Sequence, residues 1–443
     1  MAKDESKGRG IGSNPKIPEF YSPVQVANIL GVSKHVIDTK AINGKLAPKG
    51  TDAGGNPAFY RSQLEGFEEA RQMFASRWDE EATIQPVRPF KLVELFAGAG
   101  GLAIGMEMAG LESVLLNEID KRACATLRAN RAGWNLVEGD VAKVGFREFD
   151  GSADVLTGGF PCQAFSYAGQ RMGFKDARGT LFFEYARAVT ECNPRVILAE
   201  NVRGLLTHDK GRTFEAIKSV FDEIGYQLVE PRVLKAIFYK VPQKRERLFF
   251  VAVRKDLARF AKFKWPSPYY RILDLRDAFC KGDLYPTAVP PSPGNEYSKR
   301  KKEIMSHVPA GGYWRDLPND LQREYMMKSY FQGGGKTGMA RRLAWDEPSL
   351  TLTCSPAQKQ TERCHPSETR PLTVREYARV QTFPDDWQFK GSLVAQYKQI
   401  GNAVPVNLAY AVGRSVVRLL NDLEAALESG KASKVYQAEM ALD

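Results

Sequence analysis

"KLVELFAGAGGLAIGMEMAG", residues 91–110, runs an apolar strand pattern into a glycine-rich turn and out again into a helical pattern. Gly98, Gly100 and Gly101 permit a tight turn and close backbone approach, and the N-terminus of the following helix favours a bound polar group. The spacing is not GxGxxG, and no Gly-Lys-Ser/Thr follows, so a dinucleotide fingerprint and a P-loop are both excluded. Apolar runs recur downstream between helical stretches: "LESVLLNEID" (111–120), "ADVLTGGFPC" (153–162), "PRVILAENV" (194–202) and "ERLFFVAVR" (246–254). Strands alternating with helices predict an α/β fold with a doubly wound sheet over residues 90–265.

In such sheets ligands bind beyond the carboxyl ends of the strands, so the residues at those ends carry the information. Glu118 ends the second strand, where a carboxylate accepts hydrogen bonds from ribose hydroxyls. Asp140, in "VEGDV", ends the third and suits an adenine amino group. Acidic strand ends without a pyrophosphate loop fit an adenosine cofactor lacking phosphates, and S-adenosyl-L-methionine is the candidate. Pro161-Cys162 follows the next strand, in a loop built from turn residues. Most cysteines are small buried hydrophobes. Here the polar, Gly-rich "QAFSYAGQRMGFKDARGTLFFE" follows, a stretch able to close over a site. Glu200 ends another strand on the same edge. "VPQKRERLFFVAVR" sets Gln243, Arg245 and Arg247 just before the last strand.

A thiol, a carboxyl and a guanidinium on one sheet edge beside an adenosine site have a specific chemistry. A thiolate adds to carbon 6 of a pyrimidine if charge at the ring nitrogen is neutralised. A protonated Glu does this while an Arg holds the exocyclic oxygen. Carbon 5 then becomes an enamine-like nucleophile that takes a methyl group, and loss of its proton and of the thiol releases the product. The reading is methylation of cytosine carbon 5.

From residue 90 to about residue 420 the chain resembles bacterial DNA (cytosine-5) methyltransferases of the restriction-modification type. "ELFAGAGG" resembles their cofactor loop, which implies Phe96, Ala97, Gly98, Gly100 and Gly101 against the cofactor; Glu94 stands where an Asp is more usual. "NEID" and "GDV" imply cofactor contacts at Glu118 and Ile119 and at Asp140 and Val141. "GGFPCQAFS" resembles the catalytic loop: Cys162 the nucleophile, Pro161 shaping the turn, and Gln163, Ser166 and, further along, Arg178 facing DNA. "ENV" implies Glu200 at the cytosine ring nitrogen, and "QKRER" implies Arg245 and Arg247 around the flipped base with Gln243 at the DNA. "RPLTVREYARVQTFPDDW" resembles the segment that props the recognition domain. "QIGNAVPVNLA" resembles the last motif, with Asn402 and Ala403 returning to the cofactor pocket, so residues 392–430 complete the catalytic domain. The resemblance also implies base flipping and S-adenosyl-L-homocysteine as co-product.

Residues 266–391 change in texture, with more Pro, Gly, Tyr and Trp and with basic clusters, and read as the target-recognition domain. Gly334, within "GGGKTGMARR" (333–342), permits close approach to DNA, and Arg341, Arg342, Lys359 and Arg363 are candidate contacts to phosphates or guanine. Residues 1–18 read as a disordered tail. Residues 19–80 contain helical spacing on both sides of "LGVS", then a hairpin-like segment, and resemble a MerR- or excisionase-type winged helix-turn-helix. The alternative there is a helical cap on the main domain.

The formal charge of +11 over 443 residues favours polyanionic partners, with double-stranded DNA first and ordinary solubility as the alternative. Six cysteines form no CxxC pair, so neither a disulfide framework nor a zinc ribbon is indicated, and no metal is expected. The N-terminus lacks an apolar signal segment and no stretch reaches the ~20 apolar residues of a membrane span. A cytoplasmic, nucleoid-associated monomer is expected. The helix-turn-helix raises binding to the protein's own promoter DNA as a further expectation. Two competitors use the same residues differently: an RNA methyltransferase with this chemistry, and a DNA-binding regulator whose enzyme domain is inert. The large basic domain favours DNA over RNA, and intact Cys162, Glu200 and Arg247 argue against inertness. An oxidoreductase is disfavoured by the first glycine loop.

Overall fold

The opening stretch forms strand β1 (Phe90–Leu95), buried at every position but Lys91, and helix α1 (Gly101–Met108). The computed structural model describes residues 17–38, 46–52, 55–160 and 181–429. The described residues up to Glu80, with 267–272, form one compact unit, and the described residues of 81–266 and 273–429 form the other.

The larger unit is built on an eight-stranded sheet. After β1 come β2 (Leu111–Glu118), β3 (Leu136–Glu138), β4 (Val155–Gly158), β5 (Val196–Asn201), β6 (Tyr226–Leu228), β7 (Arg232–Lys235) and β8 (Glu246–Arg254). Their order is β7-β8-β5-β4-β1-β2-β3, with β6 also on β8. Strands β1 to β5 run parallel, whereas β8 is antiparallel to β5, β6 and β7. The sheet is therefore mixed, parallel through β1–β5 and antiparallel where β8 joins. Only a single 3-10 turn, Ala236–Phe238, and no α-helix intervenes between β6 and β8, and antiparallel neighbours need no helical crossover.

Strand order reverses at β1, which has β2 on one side and β4 on the other. A reversal of this kind opens a crevice at the carboxyl ends of the strands. Helices α2 (Lys121–Asn130), α3 (Leu181–Cys192) and α4 (Arg212–Glu223) follow β2, β4 and β5. Phe182, Tyr185 and Val189 of α3 pack with Phe221 of α4 over Val93, Leu95, Leu156 and Phe250 of the sheet. Asp120 caps α2, accepting from the N–H of Arg122 (2.8 Å) and of Ala123 (3.3 Å).

The chain returns to the sheet at α5 (Leu393–Asn402) and α6 (Val406–Glu428). Helix α6 crosses α1 at two glycines. A Cβ at Gly105 would lie 2.4 Å from Ala409 Cβ, and one at Gly413 would lie 2.8 Å from Ala109 Cβ. At the far end of α6, Glu424 joins Arg88, Arg195 and Asp154 in an ion-pair network. Residues 273–391 add short helices around Ile304, Met305, Trp314 and Met326. They are joined to the sheet domain by a parallel pairing of Gln243–Lys244 with Ser349–Leu350.

In the smaller unit, strands Phe20–Tyr21, Gly50–Thr51 and Pro57–Tyr60 form an antiparallel sheet with the last of them central. Helices Pro23–Leu30 and Lys34–Asp38 are separated by a turn in which Gly31 is left-handed (φ 67°). Ser22 and Gln25 close a reciprocal cap on the first of them (3.2 and 2.8 Å). Val26, Ile29, Ile37, Phe59, Leu64 and Met73 form this unit's own core. The expected disordered tail lies outside the described residues up to residue 16.

Candidate active site

The glycine turn after β1 combines three left-handed backbones, at Phe96 (φ 58°), Gly98 (56°) and Gly100 (88°). It points amide N–H groups at the next strand end. Glu118 Oε2 accepts from Gly98 N–H (2.7 Å), while Oε1 accepts from Ile119 N–H (2.8 Å) and Asp120 N–H (2.7 Å). The carboxylate is thus held in one orientation at the mouth of the crevice, with a lone pair to spare.

A cavity of about 380 Å³ opens there. Of the residues expected at the cofactor, Phe96, Ala97, Gly98, Gly101, Glu118, Ile119, Asn402 and Ala403 line it. Gly100, Asp140 and Val141 are not in its lining. A Cβ at Gly100 would face Leu127 and Trp387, Val141 is buried, and Asp140 is exposed, capping the next turn through Ala142 N–H (3.0 Å). The cavity also takes in Gly159 and Glu200, so the two expected sites share one space.

Sequence reasoning assigned no role to several of its other residues, among them Glu94, Gly159, Lys398 and Gln399. Glu94 was visible as an acid inside an apolar strand. Gln399 lies one turn before Asn402 on α5, and donates to Lys390 O (2.8 Å) while accepting from Thr126 Oγ1 (2.6 Å).

At the end of β5, Glu200 is 9% exposed and ion-paired to Arg247 of β8, Nε to Oε1 2.5 Å. Strand pairing sets the two together: Phe249 is the register partner of Glu200 and Leu248 that of Asn201. A Cβ at position 159 would lie 2.9 Å from Glu200 Oε2, so only glycine leaves the carboxyl its place. Burial pushes the Glu200 carboxyl above its ordinary range, and Arg247 opposes that rise. Asn201 Nδ2 donates to Phe160 O (2.9 Å), and Phe160 packs on Phe182 and Tyr185. Pro161, Cys162, Gln163, Ser166 and Arg178 lie outside the described residues, which stop at Phe160 and resume at Leu181.

Four residues expected at the DNA or the base are buried, with hydrogen-bond partners inside the protein. Gln243, expected at the DNA, is fully buried; it donates to Gln381 Oε1 (2.8 Å) and accepts from Leu352 N–H (2.9 Å). Arg245, expected at the base, donates instead to Leu352 O (3.1 Å) and Gly401 O (2.9 Å). Arg342 is buried, with bonds to Val308 O, Met305 O, His365 O and Glu368 O. Arg363 is buried and donates to Glu362 O and Thr351 O. These donors satisfy carbonyls or amides inside the protein, two of them, Gly401 O and Met305 O, in helices and the others mostly in loops, a task a guanidinium with five N–H groups suits. Gly334 is exposed (φ 96°), while Arg341, 4.0 Å from Glu347, and Lys359 are half-buried.

Among the described residues, no cluster of three His, Cys, Asp or Glu side chains is placed to hold a metal ion. Among them, too, no helix is long and apolar enough to cross a membrane.

The family profile described as C-5 cytosine-specific DNA methylase matches residues 90–418. The chain is 62% identical over 407 residues to the Type II methyltransferase M.Eco47II of Escherichia coli, covering 92% of this chain and 97% of that one. It is 59% identical to the Type II methyltransferase M.PspPI of a Psychrobacter species, covering 92% and 98%. Among solved structures, a prophage-encoded E. coli protein described as a DNA modification methyltransferase shares the fold, with a TM-score of 0.55 at 24% identity, covering 75% of this chain and 99% of that one. The profile runs from β1 into the last helix, and these relatives match over nearly their whole length: the chain belongs to the C-5 cytosine-specific DNA methylase family, and its activity is that of a DNA (cytosine-5) methyltransferase.

Proposed function

We propose that the protein methylates carbon 5 of a cytosine flipped out of double-stranded DNA, by covalent attack of Cys162 on carbon 6. The observation that carries this is the Glu200–Arg247 pair, whose Glu200 lines the same cavity as the glycine turn and Glu118. A base held there meets a carboxyl that burial keeps protonated to higher pH, and a guanidinium fixed beside it. The Glu200 proton neutralises the ring nitrogen as the Cys162 thiolate adds, and Arg247 holds the exocyclic oxygen. Carbon 5 becomes nucleophilic, and after it takes a methyl group, loss of its proton expels the thiol. A cytosine stacked in a duplex cannot meet these groups, so it must rotate out, at a cost of a few kcal/mol.

S-adenosyl-L-methionine, when bound, supplies the electrophilic methyl group and leaves as S-adenosyl-L-homocysteine. The cavity's residues fit it. Glu118 offers fixed acceptors for the ribose hydroxyls, the backbone at Gly98 is open to close approach, and Glu94 presents an orphaned carboxyl oxygen.

The relatives named Type II methyltransferases support a place as the modification half of a restriction-modification system. The smaller unit's two helices, turn and hairpin support a second DNA contact, with the protein's own promoter as its target. A chain starting near Thr83 is expected to keep methylating; outright loss would count against a separate role for that unit. Promoter binding that survives deletion of residues 20–75 would overturn the regulatory reading.

The direct test incubates the protein and its Cys162→Ala variant with tritiated S-adenosylmethionine and either plasmid DNA or total tRNA. Label on DNA that the variant loses is the expected result. Label on tRNA would move the substrate to RNA, and none on either would leave a regulator.

A further inference from the structure

Of the basic side chains expected at DNA in residues 266–391, Arg342 and Arg363 are taken up by carbonyls inside the protein, and Lys359 lies over the Tyr325 ring (5.4 Å). Arg341 differs. Among the described residues its guanidinium makes no hydrogen bond, and its Nε is buried without a partner. Its side chain is 15% exposed, and its ion pair with Glu347, Nη2 to Oε2 4.0 Å, is too long for a hydrogen bond. A mostly buried guanidinium with its donors unused is unfavourable until something takes them.

The backbone under Arg341, by contrast, is fixed. Ala340 is left-handed (φ 47°), and its N–H donates to the Tyr325 hydroxyl (3.2 Å). That hydroxyl donates to Glu362 Oε2 (2.6 Å), and the fully buried Glu362 pairs with Lys301 (2.8 Å). On the other side, Cys364 N–H donates to Arg341 O (3.0 Å). A held backbone thus presents a planar fork of donors that lacks acceptors.

Glu347 narrows what those acceptors are. Its Oε2 lies 3.8 Å from Lys244 Nζ and 4.0 Å from Arg341 Nη2. Without this carboxylate the two cations would form a phosphate clamp. With it they carry one net positive charge, and a phosphate drawn to Arg341 would be brought beside a second anion. Asp316 and Arg363 also act on Arg341, with opposite signs. The edge of a guanine suits the fork better, because O6 and N7 are neutral acceptors spaced for two donors of one guanidinium.

We propose that Arg341 reads a guanine of the target site through O6 and N7, and that Glu347 selects the base by keeping phosphates off Arg341 and Lys244. The inference rests on residues 266–391 being the part of the chain that reads DNA.

Bisulfite sequencing of plasmid DNA methylated by the full chain reads the target site. Fluorescence anisotropy on a duplex lacking that site, across a range of salt, reads non-specific binding. Arg341→Gln and Arg341→Lys are both expected to lose a preference of about 10–100-fold for guanine at one position, while the other positions keep theirs. Lysine keeps the charge, so its loss belongs to the two-donor geometry. If a lowered thermal midpoint shows that Arg341→Gln does not fold, Arg341→Lys carries the test. Neither is expected to change the salt dependence of non-specific binding. Glu347→Gln is expected to tighten that binding and to steepen its logarithmic salt slope by about one phosphate contact. A slope made shallower by about one in Arg341→Gln, with the site unchanged, would make Arg341 a phosphate contact and overturn the proposal. A native slope in Glu347→Gln would overturn the part given to Glu347. Methylation by the native chain without sequence preference would overturn the reading of residues 266–391, and this inference with it.

Discussion

Glu200 and Arg247 work as one group, and their chemistry sets a pH profile. The Glu200 carboxyl is raised by burial, and the proposed step needs its proton. Methylation is therefore expected to fall on the alkaline side, as that proton is lost. Arg247→Ala removes the neighbour that opposes the rise, so the alkaline limb moves upward in pH while the overall rate drops. Glu200→Gln keeps a donor but cannot yield a proton, and is expected to cost about 10²–10⁴-fold in rate, read in a single-turnover methylation assay. Gly159→Ala should act through the same carboxyl, because the new Cβ would lie 2.9 Å from Glu200 Oε2. Its loss of rate is expected with little change in cofactor affinity. The strand-end acids and the arginine of the last strand were legible because strand termini can be read from local pattern. The destinations of Gln243, Arg245, Arg342 and Arg363 were not. Each satisfies backbone groups of a segment distant in sequence, and nothing in a local pattern separates such an arginine from one awaiting DNA.

Elements meet here through glycine. Helices α1 and α6 approach so closely at Gly105 that an added Cβ would also lie 2.6 Å from the Tyr410 nitrogen and 2.7 Å from Val406 O. These are backbone atoms, which cannot swing aside. Gly105→Ala is expected to destabilise the larger unit by about 1–3 kcal/mol, seen as a lowered thermal midpoint. Gly401 is tighter still, since its Cβ would lie 1.9 Å from Thr353 O. Gly401→Ala should therefore shift the 349–353 segment that Arg245 fixes, and impair methylation more than folding. The period of the last helix announced it as a long amphipathic element, and it forms at Val406–Glu428. The partner it packs on could not be read, because α1 lies some three hundred residues earlier. The mixed character of the sheet was hidden for a similar reason. "ERLFFVAVR" is equally apolar in either direction, and only the lack of an α-helix before it distinguishes an antiparallel strand.

At the largest scale, within the larger unit, the end of the chain returns to its start, and the site takes residues from both. Asn402 and Ala403 complete the cavity, and α6 carries a run of buried residues from Val406 to Leu423 onto α1. A chain ending at Pro405 is expected to be insoluble or to bind no adenosine ligand, by solubility and calorimetry. The charge of +11 pointed to a polyanion but not to which surface meets it. The measurement that tests the central claim most directly uses duplex DNA in which 5-fluorocytosine replaces cytosine, incubated with the protein and S-adenosylmethionine. Fluorine cannot leave carbon 5 as a proton does, so the final elimination stops with Cys162 still bonded to carbon 6. The account predicts a DNA–protein adduct that survives denaturation, with Cys162 in the cross-linked peptide and no adduct from Cys162→Ala. An adduct through another residue, or methyl transfer to ordinary DNA by Cys162→Ala, would contradict it.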